Sequence, residues 1–388
     1  MRRTAGKVSD AGWNGRTQGL PPHRKNPAVS ACALRLQLPV LLLLAAALAL
    51  GGCGSSSKGG DGSAARAVKI PTGKGPILYS AGGEPYETNN LGSQHEPFEL
   101  KVKEFSGHVF YEPNASADGT TVAFRDIADA PAKGEHSYQI FTVASKGGKP
   151  RQITHLKDDL NAMKPALSPD GSKIAFEALS TKADSMSTIY IADAKSGKVT
   201  KLTGSSKHRD YAPDFSPDGK WVVFARSEGT CTYEEATDGT CPAGIAVISA
   251  TGGKVKMLAT QEVTSETVTV TFSNAADPDW SPDGKWIAFA ANASEPGIPG
   301  SYPQLYVTDA KGKEPLRRLT KSKGAHEAPA WAPDSDSIAF ISYFEGPKGQ
   351  DIHVISADGA ELTKPAEKPD GVPAYASPAW VAVKAGSQ

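Results

Sequence analysis

Six short segments, each ending in proline, hold most of the residues in this 388-residue chain that could do chemistry. They read HVFYEP (108–113), LNAMKP (160–165), HRDYAP (208–213), SNAADP (273–278), AHEAP (325–329) and AYASP (374–378). From them come the candidate ligand-binding residues Glu112, Lys164, His208, Arg209, Asp210, Tyr211, Asp277, His326, Glu327 and Tyr375, with His108, Asn161 and Asn274 beside them. A set that mixes both signs of charge with aromatic rings suits a small ligand, a peptide end or an oxygen-bound cation. His208 and His326 with Asp210 and Glu327 also make a conceivable transition-metal set, although no tight ligand spacing marks it. Against both stands a plainer reading, in which polar strand ends satisfy one another and solvent. No catalytic set is expected: there is no Gly-x-Ser-x-Gly elbow, phosphate loop, Cys-x-x-Cys pair or His-Glu-x-x-His helix.

These segments lie on a repeat. Each proline opens a phrase of the form Pro-x-apolar-Ser-Pro-Asp-Gly followed by a β-branched run ending in Phe. It reads PALSPDGSKIAF from Pro165, PDFSPDGKWVVF from Pro213 and PDWSPDGKWIAF from Pro278. Looser copies start at Pro113, Pro329 and Pro378, so the prolines are spaced by 52, 48, 65, 51 and 49 residues. A period near fifty marks a repeat array. Each period adds a third strand such as TIYIAD (188–193), a Gly-bearing turn and a short strand ending in Leu-Thr or Ile-Thr. Pro pre-sets φ, Asp bonds the backbone and Gly accepts positive φ, so the phrase is turn chemistry, and Asp118, Asp170, Asp218 and Asp283 are expected to be structural rather than calcium ligands. Phe124, Phe176, Phe224, Phe289 and Phe340 are expected core, and Trp280, Trp331 and Trp380 are expected to pack between repeats. The Thr/Val alternation in 259–276 reads as an extra strand and explains the 65-residue interval.

Four antiparallel strands per repeat predict an all-β, six-bladed β-propeller over 77–383. Residues 77–111 hold later strands without an opening phrase, and 378–383 an opening phrase without later strands. Joined, they complete one blade from both termini and remove exposed sheet edges. A parallel solenoid would leave those half-repeats unexplained.

Residues 1–52 read as a signal peptide: arginines, then the apolar run LPVLLLLAAALAL (38–50), too short for a finished membrane span. Leu50-Gly51-Gly52-Cys53 resembles a bacterial lipobox, with Cys53 the lipidated residue; a plain secretory signal is the alternative. Residues 53–76 read as a Gly/Ser-rich tether and 384–388 as a tail. Residues 1–52 hold seven of the 42 Lys and Arg and one of the 42 Asp and Glu, so the remainder carries a net charge of about −6. That argues against nucleic acid as partner. Cys231 and Cys241 then remain in an exported chain, either as a disulfide or as a metal pair.

The SPDG…IAF…IYIAD…LT pattern resembles the propeller repeats of the TolB family and the similar blades of prolyl-oligopeptidase-type propellers. The resemblance covers 77–383 and implies a periplasmic, protein-binding role. TolB proteins also carry an α/β domain before the propeller, for which 54–76 leave no room. The expectation is a monomeric, lipid-anchored envelope protein that binds a protein, a peptide or a wall polymer without catalysis or cofactor. The alternative is a metal-dependent, lyase-type enzyme or a wall-polymer sensor acting at the axial loop face.

Overall fold

The computed structural model describes residues 76–382, apart from 82–83, 89–94, 98–108, 128–136, 158, 181–185, 205–206, 230–241, 260–261, 265–268, 295–301, 323, 344–349, 361 and 364–374. The signal peptide, Cys53, residues 53–75 of the tether, the tail, His108 and the Cys231/Cys241 pair therefore lie outside the described residues. The described residues contain no helix, and the fold is a β-propeller of four-stranded antiparallel blades.

Five sheets are each built from contiguous chain. Their innermost strands are Tyr111–Ala115, Leu160–Leu167, His208–Phe215, Thr269–Trp280 and Ala325–Trp331. A further sheet joins the two ends, with Tyr375–Trp380 pairing against Ile77–Ala81 in the register Ile77↔Trp380 and Ala81↔Tyr375. The insertion before Pro278 does form an additional strand, Glu262–Thr264, against Thr269–Thr271.

The repeated phrase folds as its turn chemistry demands. In the blade starting at Leu160, Asp170 Oδ1 accepts from Ser168 Oγ at 2.6 Å and from Ser172 N at 3.0 Å, and Gly171 sits at φ +66°. Those bonds, led by the Ser168 hydroxyl, hold the Asp170 carboxyl down at about 2. The same contacts recur at Asp118, Asp218 and Asp283. Behind the turn, the phrase phenylalanine stacks on an aromatic of the third strand: Phe124 on Phe141, Phe176 on Tyr190 and Phe289 on Tyr306, with centroids 5.8–5.9 Å apart. Phe124, Phe176, Phe224, Phe289 and Phe340 are fully buried as expected. They belong to apolar clusters that bridge neighbouring sheets, such as Phe176 with Ala123 and Ile140, and Phe124 with Leu78 and Val381.

Two turn glycines separate backbone strain from packing. Gly119 and Gly171 have φ +67° and +66°, but a Cβ on Gly119 would lie 1.8 Å from the carbonyl oxygen of Ala382, whereas one on Gly171 meets nothing within 4 Å. Gly171→Ala is expected to cost about 1–2 kcal/mol from left-handed backbone alone. Gly119→Ala should cost clearly more, read as a lower urea midpoint. Equal losses would mean that the chain end does not pack on the first phrase turn.

Candidate functional site

Every inner strand bends at the residue before its phrase proline. Glu112, Lys164, Ala212, Asp277, Ala328 and Ser377 all have positive φ, between 39° and 53°. The strand pairing slips there by one residue: Tyr211 faces Ala225, but Asp214 faces Val223. The same shift occurs at Met163/Ala166, Ala276/Asp279 and Glu327/Ala330. Such a bulge re-aims a side chain. A non-glycine residue held there costs on the order of 1–3 kcal/mol. The six bent residues and the stretches that follow them line one axial cavity of about 370 Å³. It runs from this ring to the prolines of the phrase turns, including Pro169, Pro217, Pro282 and Pro333.

Charge gathers at the ring. Lys164 Nζ lies 2.9 Å from Asp277 Oδ1, and the Lys164 backbone N–H donates to Glu112 Oε2 at 2.8 Å. Arg125 Nε sits 3.3 Å from the same Glu112 oxygen, with its guanidinium over the rings of Tyr111 and Tyr138. Burial works to lower the Lys164 pKa, but Asp277 and Glu112 outweigh it and hold the ammonium charged well above its ordinary value. Glu177, on the second strand behind Lys164, is pushed up to about 7 by burial and by Glu112. Its Oε2 accepts from Ala212 N at 3.4 Å.

Further along the wall, Asn114, Asp214 and Asp279 stitch one inner strand to the next. They accept from Leu167 N at 2.8 Å, Trp280 N at 2.8 Å and Trp331 N at 2.6 Å. Both aspartates are raised far above the ordinary carboxylate range by burial, and Asp279 further by the neighbouring charge of Asp214.

Of the residues singled out in the sequence, Glu112, Lys164 and Asp277 come together on the axis. Glu327 lies within their field: burial and Asp277 raise its pKa, and it bonds Tyr343. Others turn into the blades instead of a shared mouth. Asp210 is buried in a bidentate pair with Arg226, at 2.7 and 2.9 Å. His326 is buried, its ring 5.0 Å from Phe340 and its Nε2 3.1 Å from Ser322 Oγ. Burial and His353 bring its pKa down to about 4, so it is neutral at pH 7. Tyr211 donates to the Ala275 carbonyl at 2.7 Å, and burial raises its pKa. His208 and Arg209 pair in register with Glu228 and Ser227, and the backbone of Tyr375 with Ala81. Among the described residues no three His, Cys, Asp or Glu side chains converge as metal ligands do.

Glu177, Asp214 and Asp279 were missed. Two had a signal: the polar residue directly after the phrase proline in PDF and PDW, as Asn114 is in PNA, where the copies from Pro165, Pro329 and Pro378 carry Ala. The tryptophans Trp280, Trp331 and Trp380 pack as expected but also line the cavity.

No family model matches the chain. An uncharacterized protein of Agrobacterium fabrum, Atu1656, is 27% identical over 59% of this chain and 68% of its own length. An uncharacterized peptidase of Bacillus subtilis, YuxL, is 29% identical over 47% of this chain and 30% of that protein. Among solved structures, TolB from Acinetobacter baumannii matches with a TM-score of 0.56 and 19% identity, over 79% of this chain and 66% of that one. The protein is a β-propeller, and its fold is TolB-like. It spans under a third of the Bacillus relative and about two thirds of the other two.

The buried aspartates give stability a pH dependence. Above the ordinary carboxylate pKa the unfolded chain has lost the Asp214 proton while the folded chain keeps it. The unfolded state then binds fewer protons, and stability falls as pH rises through that window. Asp214→Asn keeps an acceptor for Trp280 N without the charge. It should leave Tm unchanged at pH 4 and raise it above wild type at pH 8, followed by circular dichroism. An unchanged Tm at both values would mean that Asp214 ionises freely in the fold.

Proposed function

We propose that this protein is an exported envelope lipoprotein that binds a protein or peptide, without catalysis, in the axial cavity of a closed, monomeric six-bladed propeller. The leader 1–52 is removed, Cys53 carries the lipid, 53–76 are the tether, 77–383 the propeller, and Cys231 and Cys241 form a disulfide. The observation that carries the binding role is the cavity itself: six strained bends, one per inner strand, present charged and small residues to one shared space. Strain of this kind persists where surrounding structure over-determines it, and it concentrates at ligand clamps. The TolB-like fold supports a protein or peptide over a wall polymer as occupant, and an envelope address. The pairing of Tyr375–Trp380 with Ile77–Ala81 supports the six-bladed reading.

A photo-crosslinking residue at Ala117 or Pro333, on the turn side of the cavity, should trap a discrete partner in intact cells. The same group at Leu362, exposed on an outer strand, should not. Identical patterns at both places, or none at the cavity, would count against the axial site. Independently, Cys53→Ser should move the chain from the membrane pellet to the soluble fraction; unchanged partition would remove the lipid anchor from the account.

A further inference from the structure

The carboxylates of the axial cavity are not all neutralised. Arg125 stands against Glu112 and Lys164 against Asp277. Asp214 and Asp279 have no cationic partner among the described residues; each accepts a backbone N–H, and the two repel one another. They share their stretch of wall with Trp280, Trp331 and Trp380. Trp331 Nε1 donates to the Asp279 carbonyl at 3.1 Å and Trp380 Nε1 to the Ala330 carbonyl at 3.0 Å. The equivalent Trp280 Nε1 is buried without a partner. One wall thus offers two carboxyls with no cation beside them, together with indole surface, to a space of ligand size.

We propose that this wall recognises a basic residue of a peptide, its guanidinium or ammonium group set between Asp214 and Asp279 against the neighbouring indoles. This deepens the binding role proposed above and rests on it. Indoles favour an organic cation through cation–π attraction. A hard metal ion would need six to eight oxygens, and an aromatic and proline wall supplies few. Seating the cation draws out the proton that the aspartate pair retains, so binding weakens as pH falls and releases protons as it proceeds.

The test titrates the full chain, in buffer with chelator, with N-acetylated and C-amidated Gly-Arg-Gly and Gly-Gln-Gly, read by tryptophan fluorescence and calorimetry. The arginine peptide should bind at least about tenfold more tightly than the glutamine one. An Asp214→Asn/Asp279→Asn variant, which keeps both backbone bonds, should lose that preference while its melting curve shows it folded. The calorimetric enthalpy should vary with the ionisation heat of the buffer. Equal binding of the two peptides, a preference that survives in the variant, or binding seen only when calcium replaces the chelator would overturn the assignment. Photo-crosslinking from Ala117 separates the two levels. A trapped partner with no arginine preference ends this inference alone, and loss of both ends the axial binding role as well.

Discussion

A left-handed bend at the residue before each phrase proline is the constraint on which the site depends. Proline disfavours helical backbone in its predecessor, and a Cβ disfavours positive φ, yet six inner strands combine the two. Each bend adds one residue to the inner strand relative to its neighbour. A straight strand would alternate its side chains between the two blade faces. The bulge instead hands one side chain per blade to the axis, so that residues from separate blades, such as Lys164 and Asp277, meet at hydrogen-bond distance.

Electrostatics then divides the cavity into two tiers. At the ring, Lys164 is held charged between Asp277 and Glu112, and Glu177 behind it carries a pKa near neutrality. Along the wall, Asp214 and Asp279 spend one oxygen each on binding neighbouring inner strands together, and burial with no cation beside them favours their protonated form. A pair of asparagines would accept the same N–H groups with less conflict. The fold tolerates the conflict because apolar clusters bridge neighbouring sheets around it, from Phe289 with Val223 to Phe340 with Ala288.

The architecture was legible because its signals are local and periodic. Ser-Pro-Asp-Gly encodes a turn by backbone chemistry alone, and the phrase phenylalanine recurs at a fixed offset from it, so neither needs distant contacts to be read. The site was only partly legible. Glu112, Lys164 and Asp277 stand next to the proline and inherit their direction from it. Asp210 and His326 each lie three residues before their proline, in strands whose pleat turns them into the blade, and sequence proximity to a mouth does not reveal pleat phase. Asp214 and Asp279 adjoin the phrase turn, and their role appears only when the next blade supplies its backbone N–H. Glu177 sits on a second strand, where nothing in the repeat marks it.

The unfolding free energy of Ala328→Gly tests the central claim most directly. Ala328 is half-buried and sits at φ +49° before Pro329. Glycine relieves left-handed strain of about 1–2 kcal/mol, whereas in an ordinary strand it destabilises by roughly 0.5–1 kcal/mol. The account predicts a variant at least as stable as wild type in urea. A loss of about 1 kcal/mol would show that the inner strand runs straight there and that the axial ring is not built by bends.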